Sequence, residues 1–96
     1  METTVVIFRV DRIGVVFALF PELPADYQGL YCTCYQHVGQ HCSADYYGFI
    51  ADSRPATPAE YASLFAELKQ RDYKMTIRQR ATSAMHERRR RLAKGV

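Results

Sequence analysis

Residues Val15 to Phe20 form an unbroken apolar run, Val-Val-Phe-Ala-Leu-Phe. Extended, this run places Val16, Ala18 and Phe20 on one side and Val15, Phe17 and Leu19 on the other. A strand apolar on both faces belongs in the interior of a sheet, so the chain must supply neighbours for it. Thr3 to Val10 is a suitable first neighbour, being rich in Val, Ile and Phe. Asp11 to Gly14 carries turn chemistry, with a glycine able to take positive φ. The two runs predict an N-terminal β-hairpin.

The rest of the chain reads as a small α+β fold of about four strands, antiparallel or mixed, with a helix packed on one face. Pro21 to Gly29 reads as a loop, because its two prolines lack backbone donors and restrict the residues before them. Leu30 to His37 resumes as a strand, with Leu30, Cys32 and Cys34 on one face and Tyr31, Thr33, Tyr35 and His37 on the other. Residues 43–52 leave two readings open, a short helix capped by Ser43 and a strand.

Pro58 to Arg71 carries the clearest local signal. Thr57 stands at the N-cap, Pro58 at the first helical position and Glu60 three residues after the cap, which is a capping box. Tyr61, Leu64, Phe65 and Leu68 make its apolar stripe, while Glu60, Ser63, Glu67 and Gln70 face away. Tyr73 to Arg80 alternates as a half-buried strand. From Ser83 a basic helix closed by Gly95 is predicted, with little apolar content to hold it. The organisation expected is one α+β domain over residues 1–82, followed by a basic tail or helix over 83–96. Strand order and oligomeric state leave no signature in the pattern.

With 96 residues, 48% of them hydrophobic, the chain is long enough for one core and too apolar for wholesale disorder. Met1 to Thr4 has no cationic stretch, and no apolar run approaches the ~20 residues of a membrane span. The odd count of three cysteines, Cys32, Cys34 and Cys42, then implies reduced thiols in a cytoplasmic compartment. Cys32 and Cys34, two apart on a strand, are not expected to bridge each other.

Several segments resemble a family of small uncharacterised proteins from bacterial phages and other mobile elements. They are His37-Val-Gly-Gln-His41, Ala44-Asp-Tyr46, Arg54-Pro-Ala-Thr-Pro-Ala-Glu-Tyr61 and Leu64 to Leu68. Val6 to Arg9 and Ala18 to Glu22 extend the likeness over most of the chain. The resemblance implies a bacterial or phage cytoplasmic setting and brings no activity, cofactor or catalytic residue with it.

Three groups of residues bear on chemistry. Cys32, Cys34, His37, His41 and Cys42 are ligand types for zinc, yet a C-x-C pair on a strand with His37 on its other face is poor spacing for a structural site. His41 and Cys42 invite a thiol-nucleophile reading with Asp45 or Asp52 as the orienting group, but adjacent side chains rarely face one another and any small domain offers such sets by chance. Turn-stabilising hydrogen bonds from His37, Gln40 and His41 are the simpler account. Tyr27, Tyr31, Tyr35, Tyr46 and Tyr47 suit base stacking, a protein interface, or plain cross-strand packing.

Charge is the remaining signal. Residues 1–68 hold three cations (Arg9, Arg12 and Arg54) against eight anions, a balance of −5. Residues 69–96 hold ten cations against two anions, a balance of +8, within a net charge of +3. The asymmetry points to a basic partner-binding surface made of Lys74, Arg78, Arg80, Arg88, Arg89, Arg90, Arg91 and Lys94. The expectation is a non-enzymatic cytoplasmic protein, without cofactor or bound metal, that engages or inhibits a host protein or nucleoprotein complex. An anti-CRISPR-like inhibitor would be one example; a direct nucleic-acid-binding module is the alternative.

Overall fold

A computed structural model describes residues 3–37 and 40–95. Val38 and Gly39, part of the His37–His41 segment, and the terminal residues Met1, Glu2 and Val96 lie outside the described residues.

The hairpin forms as expected. β1 (Thr4–Asp11) and β2 (Val16–Pro24) pair antiparallel, Ile7 opposite Leu19 and Val10 opposite Val16. At the turn the Asp11 carboxylate accepts from the Ile13 and Val15 N–H groups, and Gly14 takes φ 90°. β2 is interior, with β3 (Cys32–Gln36) on its other side. Beyond β3 lies β4 (Gln40–Ala44). A short helix, α1 (Tyr46–Ala51), and a short strand, β5 (Ser53–Pro55), follow. Next come α2 (Pro58–Gln70), β6 (Met75–Ile77) and α3 (Ser83–Ala93). The sheet runs β4-β3-β2-β1-β5, with β6 parallel to β1 on the same flank as β5.

Three expectations change. Pro21 to Pro24 continues β2 rather than leaving it as a loop. The missing proline donors are accommodated by a register shift between Phe20 and Pro24. Residues 40–52 contain both a strand and a helix, and Ser43 lies in β4, so Asp45 takes the N-cap position of α1. Helices also cover both faces of the sheet rather than one, as the two-sided apolar character of β2 requires.

One core joins Val6, Phe8, Ala18, Phe20 and Tyr35 to Leu64 and Leu68 of α2. The other joins Ile7, Phe17, Leu19, Cys32 and Cys34 to Ala44 and Tyr46. α2 carries the expected capping box: Thr57 Oγ1 accepts from Glu60 N–H, and the Glu60 carboxylate from Thr57 N–H. Burying Leu64 and Leu68 completely contributes about 1.5–3 kcal/mol each, enough to seat the helix.

α3 lies against β2 as a layer of the fold. Its own cap is Thr82, whose Oγ1 accepts from Met85 N–H. Gly29 sets how closely it approaches: the residue sits at φ 71°, and a Cβ there would lie 2.7 Å from the Arg90 Cα and 3.0 Å from the Arg89 carbonyl oxygen. Neither neighbour is a flexible side-chain end. Gly29→Ala is therefore expected to cost at least about 2 kcal/mol, from left-handed backbone strain plus displacement of α3. Denaturant unfolding would measure it; the same substitution at Gly14, where no atom lies within 4 Å of the added Cβ, carries only the backbone cost.

Candidate functional site

The predicted basic residues divide into those turned outward and one turned inward. On α3, Arg88, Arg90 and Arg91 are exposed, as is Lys94 just beyond it, whereas Arg89 is only 3% exposed. Arg89 therefore leaves the expected partner-binding set. Its Nε donates to the Gly29 carbonyl and its Nη1 to the Pro21 carbonyl, each at 2.8 Å. Nη1 also lies 2.8 Å from His86 Nδ1. A guanidinium is donor-only, so His86 Nδ1 must accept and the ring is neutral with its proton on Nε2. Pro21 and Gly29 thus matter for more than backbone shape, since their carbonyls hold the helix.

This explains how a helix poor in apolar residues stays docked. Its inward face is polar, and hydrogen bonds to a charged donor replace the missing stripe. Lys74, Arg78 and Arg80 are also exposed, Lys74 just before β6 and the two arginines on the segment leading from it to α3. Lys74 O accepts from Thr4 N–H, and Thr4 lines a shallow cleft with Arg88 and Leu92.

The earlier cations are spent within the fold. Arg9, 7% exposed, donates to the Ser53 hydroxyl and carbonyl and to the Ile50 carbonyl, tying β1 to the end of α1. Arg12 pairs with Asp52 at 3.2 Å. Arg54 meets Glu60 through two contacts, Nη1–Oε1 at 2.8 Å and Nη2–Oε2 at 2.6 Å. Arg54 and the Thr57 N–H hold the Glu60 carboxyl down to about 2.

A cleft opens between α1 and the first turns of α3, with a volume of about 190 Å³. Leu30, Asp45, Tyr46, Tyr47, Ser83, His86 and Arg90 line it. Tyr47 is 70% exposed and stacks on His86 at 5.4 Å between ring centroids. Tyr46 meets the same ring edge-on at 4.8 Å and accepts the Ala81 N–H at its hydroxyl. Of the five clustered tyrosines, Tyr35 and Tyr46 pack inside, while Tyr27, Tyr31 and Tyr47 face outward.

The cysteine and histidine set is split by the sheet. Cys32 and Cys34 face the core beneath α1, whereas His41 stands opposite Tyr35 and touches its ring edge on the α2 side. Cys34 and Cys42 face each other across β3 and β4, with Cα atoms 4.9 Å apart, and are joined as a disulfide. The expectation of three reduced thiols is corrected at these two positions, and Cys42 is not poised as a free nucleophile. β4 was not anticipated, so neither was this pairing. Cys32 stays a free, buried thiol, and burial pushes it up to about 11.

His37 and His41 both bond to side chains, while the turn between them, at Val38 and Gly39, lies outside the described residues. His37 Nδ1 lies 2.8 Å from Glu67 Oε1, and His41 Nε2 lies 3.0 Å from the Tyr73 hydroxyl. The Tyr35 hydroxyl donates to the other Glu67 oxygen. Glu67 therefore reaches toward the sheet instead of facing away, and the cluster fastens the β3–β4 hairpin to α2. The signal available in the sequence was a carboxylate adjoining the Leu64 and Leu68 stripe.

Among the described residues, no helix is long and apolar enough to cross a membrane. Compared with protein-family models, curated proteins and solved structures, the chain gives no significant match.

Two outcomes follow from the Arg89–His86 contact. Arg89→Ala leaves the Gly29 and Pro21 carbonyls without their donor and should cost about 3 kcal/mol in denaturant unfolding. Separately, burial, then Arg89, then Arg90 hold the His86 pKa below its ordinary value. The folded state resists this proton more than the unfolded chain does. Stability is thus fully present above about pH 6.5 and is lost as pH falls through the lowered folded value. Thermal melts from pH 7.5 to 5 should show that decline, and His86→Asn, which keeps an acceptor without titrating, should flatten it relative to wild type.

Proposed function

We propose that the protein is a non-enzymatic binding protein that engages an acidic surface on a host protein or nucleoprotein complex. The contact runs through the outward side of α3 and its end. One observation carries this reading: Arg89 is spent inside, which fixes the helix and leaves Arg88, Arg90, Arg91 and Lys94 exposed together. Arginine suits such a role because its planar fork meets carboxylates in paired hydrogen bonds. Exposed Leu30, Tyr31 and Tyr47 add the amphipathic surface typical of protein interfaces. Opposite charge on the partner would speed encounter and select against basic surfaces.

The phage and mobile-element resemblance supports a bacterial setting, in which an inhibitor of a host defence complex is a natural role. Direct nucleic-acid binding is the weaker reading. The exposed arginines share their surroundings with Glu87, Asp45 and Glu22, which interrupt any continuous phosphate track.

Immobilised protein should retain one or more proteins from a bacterial lysate at low salt and release them as ionic strength rises. Arg91→Gln combined with Lys94→Gln should retain none of them while melting like wild type. Unchanged retention by that variant would remove α3 from the account. Tight oligonucleotide binding, with log affinity falling steeply against log salt and lost in the same variant, would transfer the reading to a nucleic-acid module.

A further inference from the structure

We propose that the cleft between α1 and α3 is an anchor site for a single carboxylate side chain of an acidic protein segment, received by His86 Nε2–H, the Arg90 guanidinium and the Ser83 hydroxyl. The inference rests on the binding-protein reading above and names the group on the partner that the site takes.

His86 supplies the first argument. The ring is 5% exposed, and its Nδ1 is committed to accepting from Arg89, so Nε2 carries the proton. Nε2 has no hydrogen-bond partner among the described residues. Yet no fully buried side-chain nitrogen or oxygen among them lacks a partner, so this donor must reach solvent. His86 lines the cleft between α1 and α3, which gives this donor a route to solvent. A nearly buried ring with one uncommitted donor, on the wall of a cleft, suits an acceptor that enters there in place of water.

Charge supplies the second. Arg90 lines the same cleft and lies close enough for its charge to act on His86. Arg89, which also lines the cleft, adds a second positive charge and has no carboxylate partner of its own among the described residues. The groups around His86 are Asp45, Tyr46 and Tyr47 on the α1 side, and Arg89 and Arg90 on α3, with Cys32 near Arg89. Of these only Asp45 is anionic at neutral pH, so an entering anion meets a net positive site.

Size and Asp45 decide which anion. A volume of about 190 Å³ takes a carboxylate and its methylenes, with Leu30 and Tyr47 as apolar walls for the stem. Asp45 repels a phosphate dianion more than a carboxylate. It also offers an acceptor that a peptide N–H beside the acidic side chain can use, whereas a phosphodiester linkage has no donor to give. The site is therefore matched to an aspartate or glutamate within a peptide.

The test uses an acetylated, amidated hexapeptide carrying two adjacent glutamates, its glutamine counterpart, and an oligothymidylate, each titrated into the full chain. His86 ring resonances are followed by NMR. The glutamate peptide should shift them saturably and raise the His86 titration midpoint by about one unit or more, since a carboxylate at hydrogen-bond range favours imidazolium. The glutamine peptide should not. Arg90→Gln should weaken the glutamate peptide at least about fivefold by removing a charge-assisted contact, and Arg91→Gln with Lys94→Gln much less.

If the peptide binds but only the Arg91 and Lys94 pair matters, the outer face binds and the cleft does not: the general reading stands and this inference falls. No saturable shift with wild type also overturns it, whatever the lysate experiment gives. So does an oligothymidylate that moves His86 when the peptide cannot. Tyr47→Ala, on an exposed ring, provides a second variant should Arg90→Gln perturb folding; peptide binding unaffected by both overturns the site.

Discussion

Arg89 holds a positive charge inside the molecule with no carboxylate to oppose it among the described residues. Moving a guanidinium out of water costs several kcal/mol even after relaxation, and only good hydrogen bonds offset that. Here the Gly29 and Pro21 carbonyls and one imidazole nitrogen provide them. Each acceptor depends on an unusual local condition. Pro21 sits where the β2–β3 register shifts, so its carbonyl is free to turn toward α3. Gly29 adopts a left-handed backbone and lets α3 approach within reach of its oxygen. His86 accepts because burial first, and the neighbouring arginines second, keep it neutral. Orientation of the whole basic surface rests on that set.

The two sides of the sheet are consequently held by different physics. α2 lies on an apolar stripe and a complete capping box, interactions that are indifferent to pH and salt over the ordinary range. α3 has only Ala93 and Met85 as partly buried apolar residues beside its polar anchor. An anchor of hydrogen bonds is directional, so it fixes the rotation of the helix about its axis more tightly than a greasy contact would. That matters for a helix whose four consecutive arginines point in every direction. Choosing Arg89 as the inward one determines which way Arg88, Arg90 and Arg91 face.

Much of this frame was legible in the sequence. The hairpin followed from alternating apolar runs around Asp11 to Gly14, and the N-terminus of α2 followed from Thr57, Pro58 and Glu60. β4 and β5 were not legible, because Gln-His-Cys-Ser-Ala and Ser-Arg-Pro have no apolar alternation and exist as strands through their neighbours' hydrogen bonds. The Pro21–Pro24 stretch misled for a related reason: the prolines forbid regular pairing, while a shifted register tolerates them. Arg89 could not be told from its three neighbours by composition. Only the tertiary contact with Gly29, sixty residues away, singles it out.

The charge asymmetry acquires a sharper meaning in three dimensions. Arg12 and Arg54 each face a carboxylate, while Arg9 is buried among hydroxyl and carbonyl acceptors. Acidic groups such as Asp45 stay exposed, and the exposed cations gather on α3, on the segments flanking β6 and at Lys69 and Arg71 at the end of α2. A surface of this kind, with Asp45 and Glu22 set beside the exposed arginines of α3, favours partners whose acidity is equally local. A long polyanion would have to pass those carboxylates, gaining on α3 and losing beside it. A protein with a compact acidic patch meets only the favourable part, and the aromatic and leucine side chains bordering the cleft give it apolar surface to bury as well.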